Sequence, residues 1–298
     1  MTIRRLLPLL FATALLTYGC NSGGLITDDD DATDDDDDDD GDDDDATDDD
    51  DVDPALAGWC QIDEDDFSFF VTSMAAIWAL SGDDISDLEG GMGGDLGGIE
   101  GADALCQTIG NATGNGGRTW KAFLSATDDG NGNEVDAIDR IGSGPWHDAN
   151  GRLVSDDIAG LLSDDRPDGD AQSVDDLPDE CGVPLSVLGD SHDIVTGSND
   201  DGRLASDDPE YTCNDWTANT GAVGTPVGGG GPGGNREGVI CGHSFPRSQG
   251  GNRGQNWRSD HTLRGCDKGA NLIQNGAGEG TCIGCSGGYG GIYCFAAD

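Results

Sequence analysis

From Gly97 the chain reads Gly-Gly-Ile-Glu-Gly-Ala-Asp-Ala-Leu-Cys-Gln, which sets Ala102, Leu105, Cys106 and Ile109 at i, i+3, i+4 and i+7. That spacing predicts an amphipathic helix whose apolar stripe carries a cysteine. The pattern then changes to alternation: Trp120, Ala122 and Leu124 fall on one side, Lys121, Phe123 and Ser125 on the other, as in a strand packed on a helix. Two more apolar runs read as strands, Phe69-Phe70-Val71-Thr72 within the stretch Phe67 to Leu80, and Gly291-Ile292-Tyr293-Cys294-Phe295 at the end. The inward-facing Cys106 needs a partner, and Cys294 on the last run offers one, a staple between the start and end of one domain. Ile158 to Leu162 reads as a short helix. Gly82 to Gly98, Asp164 to Glu180 and the glycine run Val227 to Gly234 read as loops.

The N-terminal region has another character. Arg4 and Arg5 precede an apolar run from Leu6 to Leu16, too short to span a bilayer and therefore read as a secretory signal. Leu16-Thr17-Tyr18-Gly19-Cys20 follows and resembles a bacterial lipobox, which implies lipid on Cys20 and a membrane anchor. Asn21 in place of Asp implies, by the same resemblance, the outer membrane. Residues 28–53 are almost all aspartate, with Asp-Ala-Thr-Asp at Asp31 and again at Asp45. Such a run repels itself and has nothing to bury, so it is expected to form an extended stalk. The expected divisions are residues 1–19 as signal, 20–65 as an acidic disordered linker and 66–298 as the folded domain.

Charge changes the picture less than its size suggests. The net charge is −46, but 20 of the 60 acidic residues lie between Asp28 and Asp53. The remainder is acidic without a basic face, which excludes nucleic acid as a partner. Glycine at 51 residues predicts a loop-rich domain, and ten cysteines behind an export signal predict disulfides.

Gly-Gly-Ile-Glu-Gly-Ala-Asp-Ala-Leu-Cys followed by Trp-Lys-Ala-Phe-Leu-Ser resembles the opening of endostatin, a collagen domain of C-type-lectin-like fold. Gly197-Ser-Asn-Asp-Asp-Gly-Arg-Leu204 leading to Cys213-Asn-Asp-Trp216, and the closing Ile292-Tyr293-Cys294, are similar to the same family. Bacterial lipoproteins with lectin-like domains look alike in these places. The resemblance spans about Phe69 to Phe295 and implies an α+β, C-type-lectin-like, disulfide-stapled domain. It also implies nested bridges, Cys106 to Cys294 and Cys213 to Cys285. Cys241 to Cys266 is the preferred additional pair, and with Cys20 lipidated one thiol stays free. Endostatin's zinc histidines have no counterparts here, and neither do the sugar-binding triplets of C-type lectins.

Candidate chemistry is sparse. Gly284-Cys-Ser-Gly-Gly288 satisfies G-x-S-x-G but lacks the following helix of a nucleophile elbow, and no H-E-x-x-H or phosphate-binding loop occurs. His243 and His261 are expected to meet, and with Asp260 to be able to bind Zn²⁺; a hydrolase using the two histidines is the enzymatic alternative. Asp129, Asn131 and Asn133 have the spacing of a calcium loop but Glu134 in place of its turn glycine, which favours a polar turn, and weak, diffuse Ca²⁺ association with the aspartate run is the one cofactor expectation. The leading expectation is a surface binding or adhesion module without a catalytic set, taking carbohydrate or extracellular protein. Its ligand surface is placed at Trp257, Arg258, His261, His243 and Trp146, with Arg247, Arg253 and Arg264 adding positive charge. An acidic, calcium-collecting surface coat is the third reading.

Overall fold

The apolar run beginning at Phe67 divides at Ser73, whose hydroxyl accepts from Ala76 N at 3.0 Å and so caps a helix. In the computed structural model, Phe69–Val71 is strand β1 and Met74–Ser81 is helix α1. The structure describes residues 52–221, 238–247, 255–273 and 280–298. The signal, Cys20, the aspartate run through Asp51, Val227 to Gly234 and Arg253 lie outside the described residues.

The stripe anticipated on the next helix, α2 (Gly98–Ala112), is buried at Ala102, Leu105, Cys106 and Ile109. The alternating segment behaves differently, for only Trp120–Ala122 pairs as strand β2. Phe123, Leu124 and Ser125 are buried as well. Two cores explain this: Trp120, Ala122 and Leu124 pack with α2, whereas Phe123 packs with Trp257 and Phe295 on the other side. Short elements follow: β3 (Trp146–His147), β4 (Leu153–Ser155), α3 (Ile158–Leu161), α4 (Ala171–Val174), β5 (Asp193–Val195), β6 (Val239–His243) and β7 (His261–Leu263). The chain closes with β8 (Asp267–Ala270), β9 (Cys282–Gly284), β10 (Gly288–Gly291) and β11 (Tyr293–Ala296).

The ends of the domain meet in an antiparallel sheet of order β1-β11-β2, in which Phe70, Cys294 and Ala122 stand in register. The Cys106–Cys294 bond fastens α2 to its central strand. A second sheet has the order β10-β5-β6-β7, parallel between β10 and β5 and antiparallel elsewhere. The result is a mixed α+β, loop-rich domain with four disulfides among its described residues. No helix among them is long and apolar enough to cross a membrane.

Three expectations are corrected. Cys213 bonds Cys266, not Cys285, and Cys285 closes a four-residue loop with Cys282. Cys241 bonds no other described cysteine: it faces His261 across the β6–β7 ladder, while Cys266 lies beyond β7 and reaches Cys213 with Cα atoms 5.6 Å apart. The domain also begins before residue 66, because Leu56 is buried and Cys60 bonds Cys181. Cys213, Asn214, Asp215 and Trp216 form one left-handed turn, with φ from 52° to 63°. Non-glycine residues resist this conformation by roughly 1–2 kcal/mol each. The disulfide holds it, together with Asp215, which accepts from Thr127 N and Thr127 Oγ1 at 2.7 Å, and Trp216 Nε1, which donates to Ser125 O at 2.9 Å.

Candidate metal centre

Directly opposed residues in an antiparallel ladder project to the same face, as do residues two apart on one strand. In the second sheet Asp193 opposes His243, and Cys241 opposes His261. Asp193, His243, Cys241 and His261 therefore share one face, and His192, immediately before β5, turns its ring edge-on to His243 with centroids 4.3 Å apart. Two glycines allow this crowding. A Cβ at Gly242 would stand 1.8 Å from the Trp257 carbonyl oxygen, and one at Gly287 would stand 2.3 Å from His192 Cε1.

The Nε2 atoms of His192, His243 and His261 lie 3.2, 3.2 and 2.9 Å from Asp193 Oδ1. One ligand atom from each of these four residues falls within 4.8 Å of all the others. A tetrahedral ion with bonds of about 2.0–2.1 Å separates neighbouring ligand atoms by about 3.3 Å. Three of the six donor separations, those from Asp193 Oδ1, thus stand near the edge length of a coordination tetrahedron. His192, Asp193 and His243 are buried, yet His243 Nδ1 and Nε2, His192 Nδ1 and Asp193 Oδ2 make no hydrogen bond to protein. Buried polar atoms are rarely left in that state, and these four residues could hold an ion. Of the three rings, His261 has the outer-nitrogen bond to a backbone carbonyl that metal-binding histidines usually make. His261 Nδ1 is 3.3 Å from the Thr262 carbonyl, and His192 Nδ1 is 2.9 Å from Asp190 Oδ1, outside hydrogen-bond alignment; Arg247 pairs with Asp190 Oδ2 at 3.0 Å.

Electrostatics separate these groups in the metal-free state. Burial pushes His192 down to about 4, helped by the neighbouring imidazoles. Burial also opposes charge on Asp193 and His261, but their mutual attraction overrides it, holding the carboxyl well below and the imidazole well above their ordinary ranges. Burial, with Asp193 nearby, pushes the Cys241 thiol up to about 12. Three imidazoles and one carboxylate suit zinc and its first-row neighbours; Ca²⁺ and Mg²⁺ take oxygen-rich shells.

The expected meeting of His243 and His261 is present, with ring centroids 5.0 Å apart. Asp260 stands at the edge, Oδ2 3.5 Å from His243 Nε2. Sequence reasoning missed His192 and Asp193, although a His-Asp pair opening the apolar run Ile194-Val195 was the available signal. The other ligand candidates are structural. Trp257 is buried and donates to Leu161 O, and Trp146 is buried and donates to Ala296 O, so neither offers a face for stacking. Arg258 is buried and its guanidinium donates to the carbonyls of Asp200, Asp164 and Leu162. Asp129 Oδ1 accepts from Asn131 N and Asn133 N, and Oδ2 from Asn133 Nδ2, which makes a self-bonded exposed turn of the supposed calcium loop. No protein-family model and no curated protein matches this chain.

Proposed function

We propose that the chain is an exported, lipid-anchored surface protein whose lectin-like head is a binding module built around a zinc-class metal centre. One observation carries the reading: three Nε2 atoms within 3.2 Å of a single buried carboxylate oxygen. Four disulfides are consistent with an oxidising compartment outside the cytoplasm. Four protein donors are the number found in closed, structural zinc sites, so the ion's work is to lock β5, β6 and the first residues of β7 together. The loops around that corner then present a fixed surface to a carbohydrate or extracellular protein ligand. A second reading, metal-assisted hydrolysis, has one observation in its favour: the His261 side chain is 24% exposed, so the centre has a side from which water can enter.

Elemental analysis of protein purified without chelator should find about one zinc-class ion per chain. Glycan and protein arrays probed with and without chelator should show binding that depends on it. Protein that neither retains nor takes up any transition metal would overturn the proposal. Chelator-sensitive hydrolysis of ester or peptide substrates would replace the binding reading with the hydrolase.

A further inference from the structure

Three of the four disulfides among the described residues join distant parts of the chain, across sequence separations of 121, 188 and 53; the fourth, Cys282–Cys285, spans only 3. Closing so short a loop restricts the unfolded chain least, so this bond contributes least to stability. Nor does the local turn depend on it. Cys285 N donates to Cys282 O at 3.1 Å, Gly287 N to Gly284 O at 3.1 Å and Asn271 Nδ2 to Cys285 O at 3.0 Å, which holds the backbone at this corner without the sulfurs. Cys282 and Cys285 are half-buried, whereas Cys106, Cys294, Cys213 and Cys266 are buried. Cys60 and Cys181 are also half-buried, but their bond ties the segment around Leu56 to the rest of the domain. Glycine stands beside each sulfur of the short loop. A Cβ at Gly280 would lie 3.1 Å from Cys285 Sγ, and one at Gly269 would lie 3.2 Å from Cys282 Sγ, so neither position screens its sulfur with a side chain.

We propose that Cys282–Cys285 is a thiol–disulfide exchange site that oxidises the dithiol of a protein or small-molecule partner. Its C-x-x-C spacing is that of redox-active pairs, and an accessible bridge with little structural work is the kind that exchanges. A thiolate of the partner attacks one sulfur, the Cys282–Cys285 bond breaks and a mixed disulfide forms. The partner's second thiolate then attacks its own sulfur in that mixed bond, which closes the partner's disulfide and frees the second cysteine. Two electrons pass from the partner to the pair, and the two protons lost by the partner's thiols end on Cys282 and Cys285. The other three bridges and the turn's own hydrogen bonds hold the fold meanwhile, so the pair opens and closes without unfolding. None of the four donors of the metal centre takes part.

The test incubates the full mature protein in native buffer with graded dithiothreitol, quenches with N-ethylmaleimide and maps the labelled cysteines by mass spectrometry. Cys282 and Cys285 should be labelled at dithiol concentrations at least about tenfold below those that label any other bridged cysteine, with the near-ultraviolet circular dichroism spectrum unchanged. Below that second threshold about one dithiol should be oxidised per chain. The double variant Cys282→Ser, Cys285→Ser should oxidise none under the same conditions. Should it fail to fold, the order of labelling in the wild type decides alone. Opening of Cys60–Cys181 first, labelling of Cys282 and Cys285 only as the circular dichroism signal is lost, or oxidation of dithiol by the folded double variant at the wild-type rate overturns the assignment.

Discussion

Glu180 sits fully buried beside the Cys60–Cys181 bridge, accepting from Ser73 N at 2.8 Å and Trp59 Nε1 at 3.2 Å, with Ser73 Oγ 2.6 Å away. Burial, reinforced by the Asp179 carboxylate, raises its pKa from 4.5 to about 7. Between those values the folded chain holds a proton that the unfolded chain releases, so stability falls as pH rises through the window and is level above it. At about 1.4 kcal/mol per pH unit the loss is about 3 kcal/mol. Glu180→Gln should flatten this part of the profile, measured as the difference between wild-type and variant denaturation midpoints from pH 4.5 to 8. Trp257 makes a different point. Its indole packs against Phe123, Tyr293 and Phe295, and its carbonyl accepts from Tyr293 Oη at 2.6 Å. Trp257→Ala should cost about 3–5 kcal/mol by chemical denaturation, as emptied cores do. A change confined to ligand binding would contradict its placement. In a sequence this residue lies between polar and glycine-rich segments and looks exposed. What buries it is the approach of β11 and α3 from distant parts of the chain, which no local pattern records.

The elements divide in the same way. The α2 stripe and the Cys106–Cys294 staple were legible because helical periodicity shows which side of the segment faces inward, and the last strand offers a cysteine at the right place. Cys106→Ser should lower stability by about 2–5 kcal/mol, read from denaturant midpoints under non-reducing conditions. The Cys213–Cys266 bond was not legible, since it depends on a left-handed turn that four non-glycine residues do not announce. His192 and Asp193 were hidden for a related reason: the centre exists only once β5, β6 and β7 pair in one register. Gly242 is the tightest point of that pairing. Gly242→Ala forces a methyl group against the Trp257 carbonyl and should cost about 1–3 kcal/mol or more. Because His243 is its neighbour, metal affinity measured by competition with a chromophoric chelator should fall in parallel.

For the whole molecule, the proposed ion is linked to folding. A ligand bound only by the native state stabilises it by about 2.7 kcal/mol at a hundredfold excess over Kd. Zn²⁺ should therefore raise the melting temperature of the stripped protein, while Asp193→Asn or His243→Ala should abolish the rise; an unchanged rise in both variants would place the ion elsewhere. The lectin-like resemblance suggested an α+β, loop-rich, bridged domain, and that coarser description is what the structure has. Aromatic residues and arginines were assigned to the surface because glycine-rich surroundings hide how much core a loop-rich domain builds from its connections.

The arrangement of the bridges also sets how far the domain can be drawn out under tension. Pulled between Cys60 and Cys294, the oxidised chain becomes taut along its shortest covalent route, from Cys60 to Cys106 and across to Cys294. That route contains about 46 residues and extends to roughly 160 Å, whereas the reduced chain between the same points would reach roughly 820 Å, at about 3.5 Å per residue. Under tension the oxidised domain would therefore yield only about a fifth of that contour before load passes to covalent bonds, behaving as a short, stiff link.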